Sequence, residues 1–338
     1  MKNGNEYSSE IQEQIFRFVE LLKISAKTKD LKKGASLHTE ILKKRLLEKS
    51  PYLASALINM YAKCGVLSKA QQVLDELPVC DLISWNAIMS GYAQSGQGQE
   101  ALNCYKKMQK QGLAPDAVTF ICILKACGSS RSIVEGKRIH EEIVNRGLLD
   151  NDIVVGTTLV DMYAKCGMLT QAQQVLEELQ GRNVVSWNAL ISGYAQHGQF
   201  HEALDCFERM RSEGIFPNRV TFICILKACG SVGDVVKGKE IHDEIMNMGF
   251  LKNDNVIGTA LVDMYAKCGQ LIKAQKAFEE LSARNAISWS ALISGYAKQG
   301  QGHEALNCFE QMQSEGFSPD VVTFISLVKA CGSVGAVS

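Results

Sequence analysis

A 102-residue interval, repeated three times, constrains this 338-residue chain more than any other feature. The string YAKCG begins at Tyr61, Tyr163 and Tyr265, and the tryptophan of each SW pair falls at Trp85, Trp187 and Trp289. EAL begins at Glu100, Glu202 and Glu304, and VTF at Val118, Val220 and Val322. The spacing is 102 residues in every case, with no insertion or deletion between these landmarks. Periodicity of this kind marks an array of small structural units rather than one or two globular domains.

Each interval divides into three related pieces, such as 184–218, 219–254 and 255–285, of 35, 36 and 31 residues. Each piece reads as two helices. Ala203, Cys206, Phe207 and Met210 follow the i, i+3, i+4, i+7 spacing of an amphipathic helix. Leu261, Met264 and Tyr265 share one face, Gly269 is a left-handed helix stop, and Ala274, Ala277, Phe278 and Leu281 form the next face. A helix pair this small cannot bury its apolar face alone, so neighbouring pairs must stack into an all-α, α-solenoid superhelix. The first unit is divergent, but Gly34 and His38 match Gly136 and His140 at the 102-residue offset. Residues 1–14 read as a polar lead-in, with Ser9 and Gln12 placed to form a capping box. Residues 321–338 read as a truncated unit or a terminal cap helix.

Composition narrows the function. Thirty-six basic residues balance thirty-six acidic ones, which argues against a wholly basic polyanion-binding surface but leaves room for a local groove. No run of 18 apolar residues is present. The twelve cysteines include no CxxC pair and mostly fall in helical apolar patterns, so they read as small buried hydrophobes. The N-terminal MKNGNEYSSE resembles neither a signal peptide nor an Arg-rich transit peptide.

The pattern WNALISGYAxxGxxxEALxxFxxM…G…P(N/D) closely resembles the P repeat of the plant pentatricopeptide repeat family. The alternation of 35, 36 and 31 residues resembles its PLS subclass, whose L repeats carry ACG…GKxIH and whose S repeats carry ALVDMYAKCG. The near-identity of successive units is similar to that of a consensus-designed array. On this resemblance the repeats run 15–50 (L), 51–81 (S), 82–116 (P), 117–152 (L), 153–183 (S), 184–218 (P), 219–254 (L), 255–285 (S) and 286–320 (P).

The resemblance implies sequence-specific binding of single-stranded RNA, one base per repeat, by the fifth and last residues of each repeat. Those pairs are Ser55 with Asp81, Asn86 with Asp116, Thr157 with Asn183, Asn188 with Asn218, Thr259 with Asn285, and Ser290 with Asp320. Only Asn, Ser, Thr and Asp occur at these places, a restriction that no requirement of the fold itself suggests. An ionised Asp only accepts hydrogen bonds, which suits the imino N–H of uracil or guanine. Asn also donates, which suits the bare ring nitrogen of cytosine or adenine. The family code, with Ser or Thr at the fifth position for purines and Asn for pyrimidines, implies the target 5′-GUNACNAG-3′. The unread positions fall at L repeats, where Ile121 and Ile223 cannot hydrogen-bond a base edge.

The second residues, Tyr52, Ile83, Val118, Val154, Val185, Val220, Val256 and Ile287, are implied to sandwich the bases, with core packing as the alternative. Lys63, Lys165 and Lys267 are candidates for phosphate contact or solvated surface. HxE strings at His38–Glu40, His140–Glu142 and His242–Glu244 lack the later CxxC of a zinc deaminase and read as repeat packing. No catalytic motif, metal site or cofactor is expected, so the chain reads as a recognition module without enzyme chemistry. By the same resemblance it belongs in a plastid or mitochondrion, where a multiple organellar RNA editing factor protein docks on the L repeats. The competing expectation is a protein-binding helical scaffold.

Overall fold

The computed structural model describes residues 3–47, 50–77, 80–252 and 254–335, all of them helical or in short connections. Met1 and Lys2 of the expected lead-in lie outside the described residues, as do residues 336–338 of the expected terminal segment. The chain divides into two compact units, Met1–Gly181 and Arg182–Ser338. Each is an α-solenoid of stacked helix pairs.

The first unit holds α1 (Asn3–Thr28), α2 (Leu31–Lys43), α3 (Pro51–Lys63), α4 (Leu67–Asp75), α5 (Leu82–Gln94), α6 (Gly98–Lys110), α7 (Ala117–Ser130), α8 (Ile133–Asn145), α9 (Leu148–Asn151), α10 (Ile153–Lys165) and α11 (Leu169–Glu178). The first helices of its pairs stack in series, α1 on α3, α3 on α5, α5 on α7 and α7 on α10. The second unit holds α12 (Val184–Gln196), α13 (Phe200–Ser212), α14 (Arg219–Val232), α15 (Val235–Asn247), a 3₁₀ turn (Phe250–Lys252), α16 (Asn255–Lys267), α17 (Leu271–Glu279), α18 (Ala286–Lys298), α19 (Gly302–Ser314) and α20 (Val321–Val334). Its first helices stack as α12, α14, α16, α18 and α20.

The apolar stripes meet as their spacing demands. Ala203, Cys206, Phe207 and Met210 are all buried on α13, and Leu261, Met264 and Tyr265 on α16. Gly269 stops α16 with φ +74°, a conformation that costs a Cβ-bearing residue about 1 kcal/mol or more. The glycine of each GKxIH string makes room for the next pair: a Cβ at Gly136 would lie 2.6 Å from Met162 Sδ, and one at Gly238 2.5 Å from Met264 Sδ. Cys104, Cys127 and Cys229 are buried, and burial pushes each thiol up to about 12. They pack as small apolar groups.

Two features depart from the sequence expectation. The expected Ser9–Gln12 capping box does not start a helix, because α1 runs unbroken from Asn3 to Thr28 through both residues. Neither proline nor glycine lies between Asn5 and Thr28, so nothing there stops a helix from propagating. The other departure is an extra helical turn, α9 or the 3₁₀ turn, after each of two second helices. These connectors carry apolar residues that fold back on the stack. Phe250 packs edge-on against the buried ring of Phe222, with centroids 5.7 Å apart.

Candidate nucleic-acid interface

The expected reading residues sit where successive first helices meet. Each last residue is the N-cap of the following first helix: Asp81 of α5, Asp116 of α7, Asn183 of α12, Asn218 of α14, Asn285 of α18 and Asp320 of α20. A cap side chain must accept from an unpaired backbone N–H, and Asn, Asp and Ser do this best, at about 1 kcal/mol each. This corrects the expectation that the fold places no restriction on these positions. Capping narrows the last residue to a small polar set that also includes serine, as the Ser50 cap of α3 shows, and the choice within that set is left open.

Within the first unit, Ser55 Oγ donates to Asp81 Oδ1 at 3.1 Å, and the Asn86 amide donates to Asp116 Oδ1 at 3.1 Å. Within the second, the Asn188 amide donates to Asn218 Oδ1 at 3.0 Å, and Ser290 Oγ to Asp320 Oδ1 at 3.2 Å. The fold therefore brings four of the expected pairs into direct contact. The Thr259 hydroxyl donates to its own helix at Asn255 O, 2.7 Å away, as Ser55 Oγ can also do to Pro51 O at 2.9 Å. Thr157 Oγ1 is buried without a partner.

A third residue belongs to each contact and was not anticipated. The buried Thr119 hydroxyl lies 2.8 Å from Asn86 Oδ1 and 2.7 Å from Asp116 Oδ1. Thr221 bridges Asn188 and Asn218 in the same way, at 2.7 and 3.2 Å. Ser84 Oγ lies 2.9 Å from Ser55 Oγ, and Thr323 Oγ1 2.6 Å from Ser290 Oγ. The sequence signal was the recurrent VTF and SW strings, whose Thr or Ser stands three residues after the cap.

All of the capping bonds fall on Oδ1. Asn218 Oδ1 accepts from Val220 N and Thr221 N, and Asp116 Oδ1 from Thr119 N. The atom that each cap leaves off the helix is then Oδ2 in an aspartate and the Nδ2 amide in an asparagine, although Asp81 Oδ2 also lies 3.2 Å from Ser55 Oγ. Burial pushes the Asp116 carboxyl up, but hydrogen bonds from Thr119 and Asn86 outweigh it and hold the group below the ordinary carboxylate range. The Thr323 backbone N–H, helped by the Thr323 and Ser290 hydroxyls, does the same for Asp320 against burial. Both are therefore ionised at neutral pH and can only accept.

The second residues lie outside the core. Tyr52, Ile83, Val118, Val154, Val185, Val220, Val256 and Ile287 are 49–67% exposed. None belongs to the core, so an apolar side chain stands in solvent one helical turn before each fifth residue. The fifth residues Ile121 and Ile223 are half-buried.

The lysines expected near phosphates divide. Lys165 and Lys267 are held by Asp161 and Asp263, each at 2.6 Å on the same helix. Lys63 is exposed and has Asn59 where the others have aspartate. The HxE histidines pack between repeats: His38, His140 and His242 meet Tyr61, Tyr163 and Tyr265 at 2.9, 2.9 and 2.8 Å from Nδ1 to the phenol oxygen. Burial pushes each imidazole below its ordinary value.

Stacked helix pairs that each present one exposed apolar side chain, with a polar pair at the following cap in four of them, define a helical-repeat protein. The PPR repeat family model matches residues 81–129, 182–231 and 284–333, and the PPR repeat model matches 53–82, 157–184, 220–250 and 259–285. The chain belongs to the pentatricopeptide repeat family. It is 37% identical over 91% of its length to a mitochondrial pentatricopeptide repeat-containing protein of Arabidopsis thaliana, of which that match covers 55%. It is 34% identical over 94% of its length to a chloroplastic one from the same plant, of which 51% is covered. The chain thus spans about half the length of these relatives. The crystal structure of the pentatricopeptide repeat protein PPR10 in complex with an 18-nucleotide psaJ RNA element superposes with a TM-score of 0.73 at 19% identity. That superposition covers 89% of this chain and 45% of PPR10. At that identity the likeness is one of fold.

Proposed function

We propose that the chain binds single-stranded RNA sequence-specifically, one base per repeat, in the register 15–50 to 286–320 set out from the sequence. The observation that carries this is the recurrence, in eight successive repeats, of an exposed apolar second residue, joined in four of them by a polar pair at the following cap. Exposed branched side chains cost free energy in water, and one per step is what a row of unstacked bases would cover.

The pair chemistry supports the base assignment. With Oδ1 committed to the helix, an aspartate offers only an acceptor and an asparagine offers a donor. Asp81, Asp116 and Asp320 then favour G, U and G, and Asn183, Asn218 and Asn285 favour A, C and A. The unpartnered Thr157 hydroxyl suits a purine at its step. The target is 5′-GUNACNAG-3′. The chain supplies recognition without catalysis, and the organellar names of its relatives support a place in a plastid or mitochondrion as the recognition part of an RNA editing factor.

A second role rests on a different surface. Leu42, Val144 and Met246, at equivalent places on the second helices of the L repeats, are exposed apolar groups away from the caps. They support docking of an organellar editing-factor protein there.

The test of the RNA reading is a gel-shift titration with a strand containing GUACACAG beside one with the six assigned bases permuted. Preference for the first is expected. Equal binding of both sinks the base assignment, and no binding of either favours the scaffold.

A further inference from the structure

The L repeats are left without a base to read, yet each carries a lysine as the ninth residue of the repeat, on its first helix: Lys23 on α1, Lys125 on α7 and Lys227 on α14. The S repeats have Asn59, Asp161 and Asp263 at that place, and the P repeats Ser90, Ser192 and Ser294. Val118, Ile121 and Lys125 are spaced i, i+3, i+7, so the lysine continues the stripe of the exposed second residue and the unreading isoleucine. Val220, Ile223 and Lys227 repeat the arrangement.

Lys23 shows where such a side chain reaches. Its Nζ lies 5.9 Å from the ring centroid of Tyr52, the second residue of the next repeat. The ninth-position lysine thus stands beside the side chain that would cover the following base. Lys125 holds the same register toward Val154, and Lys227 toward Val256.

The charges around them differ. Lys23 is paired with Glu20 at 2.8 Å. At the equivalent places Lys125 and Lys227 have Cys122 and Cys224, and among the described residues neither lysine forms an ion pair. Both are exposed. Next to them the stem of an S-repeat lysine crosses the L helix over a glycine: a Cβ at Gly128 would lie 3.2 Å from Lys165 Cδ. That second lysine is neutralised by Asp161, so the uncompensated positive charge at this step is that of Lys125. In a chain of zero net charge, cations without carboxylate partners on the groove stripe are the ones placed for an anion.

We propose that Lys125 and Lys227 bind phosphodiester groups of the RNA, so that the L repeats hold the backbone where they leave the base unread. This rests on the RNA reading above. An ammonium is a compact point charge with three donors and takes a phosphate without regard to the base attached.

The test is the salt dependence of binding by the full chain, with the GUACACAG strand and its permuted partner. K125Q/K227Q is compared with K137Q/K239Q, which removes the same charge from exposed lysines on the second helices α8 and α15. The expected result is a slope of log affinity against log salt shallower by about 1.4 in K125Q/K227Q, at about 0.7 for each phosphate on a single strand. Both strands weaken by the same factor, so their ratio is kept, and K137Q/K239Q leaves the slope as it was. If the wild type distinguishes the strands but the two double variants share its slope, the lysine assignment falls and base reading stands. If the wild type binds neither strand, the RNA reading falls and takes this assignment with it.

Discussion

Asn188 and Asn218 meet through a single oxygen. Asn218 Oδ1 accepts from the Asn188 amide at 3.0 Å, and the same oxygen accepts from the backbone N–H groups of Val220 and Thr221 that begin α14. A residue expected to read a base is therefore first a helix cap. Asp116 holds the same place against Asn86, at 3.1 Å. The two sites differ at the atom that makes no capping bond, an amide nitrogen in one and a carboxylate oxygen in the other.

Asn218→Asp converts one arrangement into the other. The preferred base at that repeat is expected to change from C to U. The discrimination at stake is about 1–3 kcal/mol, or roughly 5- to 150-fold, the scale of a good base-edge contact. Competition gel shifts with strands differing only at that base measure it, and an unchanged preference would show that the register or the code is wrong.

Stability separates capping from reading. Asn218→Asp keeps a good cap and is expected to leave the unfolding free energy within a few tenths of a kcal/mol. Asn218→Ala removes the cap and takes away the acceptor of the Asn188 amide, so a loss of about 1–2 kcal/mol is expected. Urea denaturation of the three proteins without RNA reads this directly. Equal stability of all three would mean that the cap contributes nothing.

The exposed second residues give the opposite signature. Val185→Ala with Val220→Ala alters side chains 58% and 49% exposed, so stability is expected to move by no more than about 0.5 kcal/mol for each. Each change removes two methyl groups at about 0.8 kcal/mol apiece when they are fully covered by a base. Affinity for the GUACACAG strand is expected to fall by up to that amount per site, equally for any base there. Full affinity in the double variant would remove these residues from the interface.

The repeat and its helix periods made most of this legible. Spacing at i, i+3, i+4, i+7 places Ala203, Cys206, Phe207 and Met210 in the core, and the structure buries all four. The side on which a polar or branched residue stands was less legible, because periodicity identifies a stripe but not what covers it. Val185 and Val220 fit core or surface equally well until the stack is assembled. Thr119 and Thr221 were visible only as landmarks, since a hydroxyl three residues after a cap acquires its second partner from another repeat. The Lys165–Asp161 pair was within reach as an i, i+4 spacing. The run of α1 through Ser9 turned on the absence of a stop, a weaker signal than the presence of one.

The His–Tyr contacts give the fold a pH dependence whose sign follows from burial. His38, His140 and His242 are each pushed below the ordinary imidazole value of about 6.5 by burial, which outweighs the nearby carboxylates. Below about pH 6.5 the unfolded chain takes up protons that the folded chain refuses, so stability is expected to fall with pH in that window. It levels off once the pH lies below the folded values. Asp116 and Asp320 act lower on the scale. Their depressed carboxyls contribute stability that is complete above about pH 4 and lost as pH falls through their folded values. Urea denaturation from pH 8 to pH 5 isolates the histidine window. Replacing all three histidines with Gln is expected to flatten the curve there while keeping the fall below pH 4. A triple variant with the wild-type slope between pH 6.5 and 5 would place the titrating groups elsewhere and leave the His–Tyr contacts with packing as their only role.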